Sequence, residues 1–69
     1  METEFLKPAE VADLLGVGRG RVYQLIRAGV IPATRVGGAI RIPREAWGEW
    51  VRRKRDEAIA ELRSEGIKS

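Results

Sequence analysis

VADLLGVGRGRVYQLIR, residues 11–27, decides how this chain folds. Val11, Leu14 and Leu15 recur at helical spacing, and Val22, Leu25 and Ile26 do so again after a break, so two short amphipathic helices are expected. Between them stands Gly16-Val17-Gly18, in which Gly16 can take the left-handed conformation that ends a helix. Val17 is expected to point inward between the two helices. The second helix is predicted over Arg19 to Ala28, with Gly29 as its stop. On a wheel of about 100° per residue, Val22, Leu25 and Ile26 make its buried face. Gly20, Gln24 and Arg27 then lie opposite, flanked by Arg21 and Tyr23, and Arg19 reaches round from the first turn. The outward face is polar and basic.

On the amino-terminal side, Lys7-Pro8-Ala9-Glu10 opens the first helix. Pro8 suits the first helical position and Glu10 the positive end of the helix dipole, whereas Lys7 is a poor cap. On the other side, Val30-Ile31-Pro32 leaves the second helix, and Ala33–Val36 with Ala39–Ile42 reads as a β-hairpin around Gly37 and Gly38. If Val36, Ile40 and Ile42 face the core together and Arg35 and Arg41 face solvent together, Val36 must sit across from Ile40. That register leaves Gly37-Gly38-Ala39 as a three-residue tip. Pro43 and Glu45 repeat the opening at Pro8 and Glu10, so a third helix is predicted from Pro43 to about Gly66. Trp47, Trp50 and Val51 form its first inward stripe. The tryptophans could also serve as stacking platforms for a single strand, but their three-residue spacing on an otherwise charged helix favours the core.

The chain has 69 residues, no cysteine and no histidine. Disulfides, thiol chemistry, the usual zinc sites and imidazole catalysis are thereby excluded, and neither a cofactor nor a metal is expected. A domain this small buries only about 60% of its unfolded surface, which leaves little room for an enclosed active site. Non-enzymatic function is the expectation, with no visible nucleophile–base pair. The amino terminus is unlike a secretory signal and no apolar run is long enough to span a bilayer, so the default location is the cytoplasm. Gly16-Val17-Gly18-Arg19-Gly20 lacks the spacing and preceding strand of a dinucleotide-binding loop.

The net charge of +3 conceals an arrangement: residues 1–16 carry −3, residues 17–55 carry +8 and residues 56–69 carry −2. A basic middle between acidic ends suits a surface that meets a polyanion. Arg52-Arg53-Lys54-Arg55 wraps the third helix. Beyond it, Val51, Ala58, Ile59 and Leu62 lie near one side, a small stripe that would fold back on the domain, meet a neighbouring subunit or a recombinase, or stay solvated.

Two helices hinged by a tight turn, followed by a hairpin, are the parts of a winged helix-turn-helix. The segment LKPAEVADLLGVGRGRVYQLIRAGVIPATRVGGAIRIPREAWGEWV resembles the excisionase-type DNA-binding domain, a small winged helix related to the MerR family. The elements that carry the resemblance are AEVADLLGV, RVYQLIRAGVIPA, RVGGAIRIP and the paired tryptophans of EAWGEW. It implies an α+β fold of two short helices, a two-stranded wing and a longer carboxy-terminal helix. The expected organisation is one domain over 1–69, with a DNA-binding core at 5–52 and a helical extension at 53–69. It also implies that the second helix enters the major groove of duplex DNA while the wing meets the backbone or minor groove. The role that the resemblance implies is that of a phage or integrative-element excisionase, with copies assembling on adjacent sites, bending DNA and partnering an integrase. A small transcriptional regulator is the runner-up, and a protein-interaction module such as an antitoxin or adaptor is the reading from another class.

Two departures from the family pattern stand out. Gly18 and Gly20 occupy positions where hydroxyl residues are common, and Ala39 stands at the wing tip where Arg or Lys is common. Helix-start N–H groups would then make the anion contacts there. Arg19, Arg21 and Gln24 are the candidates for reading bases, since Arg can fork onto guanine and Gln onto adenine. Tyr23 and Arg27 are assigned to phosphates, with packing of Tyr23 on the wing as the alternative. Gly20 fits either a close approach of backbone to DNA or ordinary drift. Arg35, Gly37, Gly38 and Arg41 complete the set on the wing.

Overall fold

Proline at a helix start needs no donor, and Pro8 opens α1 (Pro8–Leu15) in the computed structural model, which describes residues 4–68. Lys7 precedes it in an extended conformation, and its backbone N–H donates to Glu10 Oε1 at 3.0 Å. A lysine side chain offers no acceptor in return, so Glu10 alone closes this helix start. At the other end Gly16 adopts φ 71°. Gly16 N–H donates to Asp13 O at 3.2 Å and Val17 N–H to Ala12 O at 3.0 Å, which satisfies two of the last carbonyls. The same device ends α2 (Arg19–Arg27): Gly29 has φ 74°, Gly29 N–H donates to Ile26 O and Val30 N–H to Leu25 O. Ala28 caps α2 rather than belonging to it, one residue short of the expected end.

In α1 and the turn after it, two side chains expected inside are outside. The buried side of α1 is Pro8, Val11 and Ala12, with Leu15 half-buried. That face centres between Val11 and Ala12, so Leu14 lies about 110° away and is 63% exposed. Val17 is exposed as well, because its N–H is turned back to close α1 and its side chain leaves toward solvent.

The sheet has three strands, not the two expected. β1 (Phe5–Leu6), β2 (Thr34–Val36) and β3 (Ala39–Pro43) lie in the order β1-β3-β2, all antiparallel, so the wing's second strand is central. Two residues are too few to show an alternating pattern, which is why β1 is silent in the sequence. The hairpin register is Thr34↔Arg41, Arg35↔Ile40 and Val36↔Ala39, closed by Gly37-Gly38 alone. This overturns the three-residue tip and the Val36–Ile40 pairing. The glycines take φ 57° and 86°, positive at both central positions, and a two-residue turn of that kind matches the strand twist without needing an extra residue. Val36 therefore sits opposite Ala39 and is 48% exposed.

Pro43 pairs with Phe5 as the last residue of β3, and α3 (Arg44–Lys68) begins one residue later than expected. The ladder continues through Arg44 N–H, which donates to Glu4 O at 2.9 Å. Trp47 and Trp50 turn inward from α3 and stack with ring centroids 5.1 Å apart and planes 16° off parallel. Trp50 Nε1–H donates to Val30 O at 2.6 Å, tying α3 to the exit of α2. The two rings cover the core by themselves, and Val51, expected beside them, faces out. Leu6, Val11, Ala12, Val22, Ile31, Ile42 and the tryptophans form one cluster, with Leu15, Leu25 and Ile26 packed against it. From Val51 to Ser64 every residue of α3 is exposed, so its second half stands clear of the domain.

Candidate nucleic-acid interface

Val22 fixes the orientation of α2. Its side chain is fully buried, with Leu25 and Ile26 partly buried beside it, so the helix must present its other side to solvent. Arg19, Gly20, Arg21, Tyr23, Gln24 and Arg27 are all exposed there. A methyl group built on Gly20 would meet nothing within 4 Å, so packing inside the protein does not require glycine at that position. Gly18 precedes the helix in an extended conformation, no side chain caps it, and no acid lies in its first turn. The positive end of the helix dipole is therefore unopposed on the same face.

The hairpin register decides what lies beside this helix. Residues directly opposite in an antiparallel pair share a face, and neighbours along a strand alternate. Arg35 thus shares a face with Ile40 and with the buried Ile42, while Arg41 shares the other face with Thr34. The expectation that Arg35 and Arg41 point the same way is overturned. Between α2 and the wing runs an open groove of about 450 Å³, lined by Tyr23, Ile26 and Arg27 from the helix side and by Ala33, Thr34, Arg35 and Ile40 from the wing side. Two guanidinium groups and one phenol thus border an apolar floor.

Arg35 Nη1–H lies 3.4 Å from Gly38 O, a long contact that holds the side chain loosely near the turn. Arg41 Nη1–H donates to Ile40 O at 2.8 Å on the other side of the strand. Gly37 and Gly38 leave the tip bare of side chains, which makes the wing thin. The groove residues Ile26, Ala33, Thr34 and Ile40 were not among the candidates from sequence. The Gly37-Gly38 pair held the signal that finds them, since a two-residue turn turns Arg35 toward the helix.

Trp47 and Trp50, buried and stacked on each other, are core residues and cannot serve as platforms for a single strand. Among the described residues no group of three acidic side chains is placed to hold a metal ion. No described helix is long and apolar enough to cross a membrane.

Comparison with known proteins agrees with this arrangement. Residues 5–55 match a family described as a helix-turn-helix domain. An excisionase of Streptomyces ambofaciens is 38% identical over 56 residues, which is 81% of this chain and 90% of that protein. A Mycobacterium tuberculosis protein named for DNA binding, recorded from two strains, is 42% identical over 45 residues, covering 65% of this chain and 58% of that protein. No solved structure matches. With the turn between α1 and α2, the exposed face of α2 and the wing all in place, the chain belongs to the helix-turn-helix domain family, in its excisionase-like winged form, and it is a DNA-binding protein.

Proposed function

We propose that this protein is a recombination directionality factor: copies bind adjacent duplex sites, bend the DNA and favour excision by an integrase. The observation that carries the reading is the pairing of an exposed, uncapped α2 face with a thin wing across a groove bordered by Arg27 and Arg35. In a duplex, a helix in the major groove and a wing in the next minor groove are separated by one sugar–phosphate strand. The groove is the place for that strand, with Tyr23, Arg27 and Arg35 on its phosphates. Arg19, Arg21 and Gln24, nearer the exposed centre and start of α2, read base edges. Arg41, on the outer face of the wing, reaches the far wall of the minor groove. The likeness to an excisionase over 90% of that protein's length supports the recombination role over other uses of the fold.

The test starts with selection of bound duplexes from a random library at near-physiological salt, followed by a circular-permutation gel on the selected site. A single bent position within the site is expected, and the same complex should raise excision when the element's integrase is added. Unbent DNA in a sequence-specific complex overturns the directionality role and leaves a transcriptional regulator. Selection of no sequence, with Arg19→Ala and Gln24→Ala leaving DNA binding unaffected, returns the fold to a protein-interaction module.

A further inference from the structure

We propose that the second half of α3 pairs with the same segment of a second copy, antiparallel, so that the protein dimerises through this helix. The inference goes beyond the DNA-binding reading and does not depend on it.

Every residue from Val51 to Ser64 is exposed, yet the segment is helical throughout. An isolated helix of this length is marginal in water, and helices in proteins hold chiefly by packing an apolar face. That face exists: taking Val51 as zero, Ala58 and Leu62 fall within about 20° of it and Ile59 within about 80°. Val51, Ile59 and Leu62 are the large apolar side chains left uncovered here.

Charge selects the occupant. Along the helix, Arg52-Arg53-Lys54-Arg55 comes first and Asp56, Glu57 and Glu61 follow. A parallel copy would set base on base and acid on acid. An antiparallel copy sets the basic run of each against the acidic run of the other. A two-fold pairing centred between Ala58 and Arg55 places Val51 against Leu62 of the second copy at both ends, with the Arg55 stem over Ala58 in the middle. Lys54 then flanks the seam opposite Glu61 of the second copy, twice by symmetry, and the Arg52 stem lies over Ile59. Within one chain Lys54 makes an exposed 3.4 Å pair with Glu57 and sits 5.8 Å from the centroid of the Trp50 ring, both weak contacts that it can exchange, and no ion pair to Glu61 forms among the described residues. Both side chains are available to cross the interface.

The seam is short, so association is weak in dilute solution and strengthens where DNA brings copies together. Sedimentation velocity and light scattering on the full-length protein, from dilute to NMR concentration, provide the test. A reversible monomer–dimer equilibrium is expected. Lys54→Glu and Glu61→Lys should each weaken the dimer about tenfold, because each puts like charges face to face twice, and K54E/E61K together should restore it. Leu62→Asp should abolish pairing while leaving the melting temperature of the domain near that of the parent, which separates lost association from lost folding. A protein that stays monomeric up to the highest concentration overturns the proposal. So does a dimer that ignores Leu62→Asp, or one for which the double exchange fails to rescue the single changes.

Discussion

Trp50 joins two elements with one side chain: its ring stacks on Trp47, and its Nε1–H meets the Val30 carbonyl where α2 ends. Trp50→Phe keeps most of the ring contact and removes the donor, leaving a part-buried carbonyl unpaired. The expected loss is about 1–2 kcal/mol, visible as a fall in melting temperature of about 4–8 °C for each kcal/mol; an unchanged melting temperature would mean the carbonyl is satisfied by water. Gly20 should behave in the opposite sense. With open space around it, Gly20→Ala should stabilise α2 by about 1 kcal/mol, and a simultaneous loss of DNA affinity would show that backbone approaches DNA there. Among the outward residues, Arg19→Ala or Gln24→Ala should relax sequence preference by about 1–3 kcal/mol at one position, whereas Arg35→Ala should weaken all duplexes alike and lower the salt slope by about one. A library selection and a salt titration separate the two patterns. At this scale the exposed face of α2 was legible in sequence because Val22, Leu25 and Ile26 leave only one orientation. Leu14 was not: two leucines in a row offer two stripes, and only the small Ala12, which carries little hydrophobic signal, shows which one is buried.

Elements that end on glycine were the easiest to find. Gly16 and Gly29 both take positive φ and close their helices with the same pair of backbone bonds, as their placement after apolar stripes suggests. The wing was harder. Reasoning from faces alone favoured a longer tip because it put three apolar residues inside, but the sheet buries Ile42 fully, Ile40 only in part, and leaves Val36 outside. Turn geometry won over burial pattern, since two glycines at positive φ fit the strand twist and Val36 at a three-residue edge strand has little core to reach. A pair of substitutions tests that balance. Gly37→Asn, a residue that tolerates the left-handed region, should leave stability nearly unchanged, while Gly37→Val, β-branched and strained there, should cost about 1–2 kcal/mol. Equal effects of the two in thermal unfolding would argue against the observed turn. β1 escaped notice for a different reason: its pairing depends on Leu6 meeting Ile42 across the chain, and no local pattern encodes that partner.

Seen whole, the molecule is a small domain with a rod attached, 50 Å along its longest axis and 26 and 19 Å along the others. The charge segregation read from sequence maps onto this shape, with the basic stretch spanning α2, the wing and the first half of α3, and acid concentrated on α1 and the far half of α3. A chain ended after Arg55 retains every core residue, and its melting temperature should stay close to that of the parent. A large drop would show that the rod supports the domain even in the monomer. The rod's existence was legible; its freedom from the core was not, because an apolar stripe in a sequence does not say which surface it meets. The stacked indoles have one more consequence. The chain has two tryptophans, buried together in the core, and one tyrosine, Tyr23, on the exposed face of α2 proposed to meet DNA. Excited near 295 nm, about where indole alone absorbs, the protein emits light that tracks unfolding of the interior. If Tyr23 meets phosphates as proposed, ultraviolet resonance Raman bands of this lone phenol should follow the encounter with the duplex. Nature has thus left two optical channels in one unlabelled chain, one for integrity and one for engagement, and both can be recorded in the same sample.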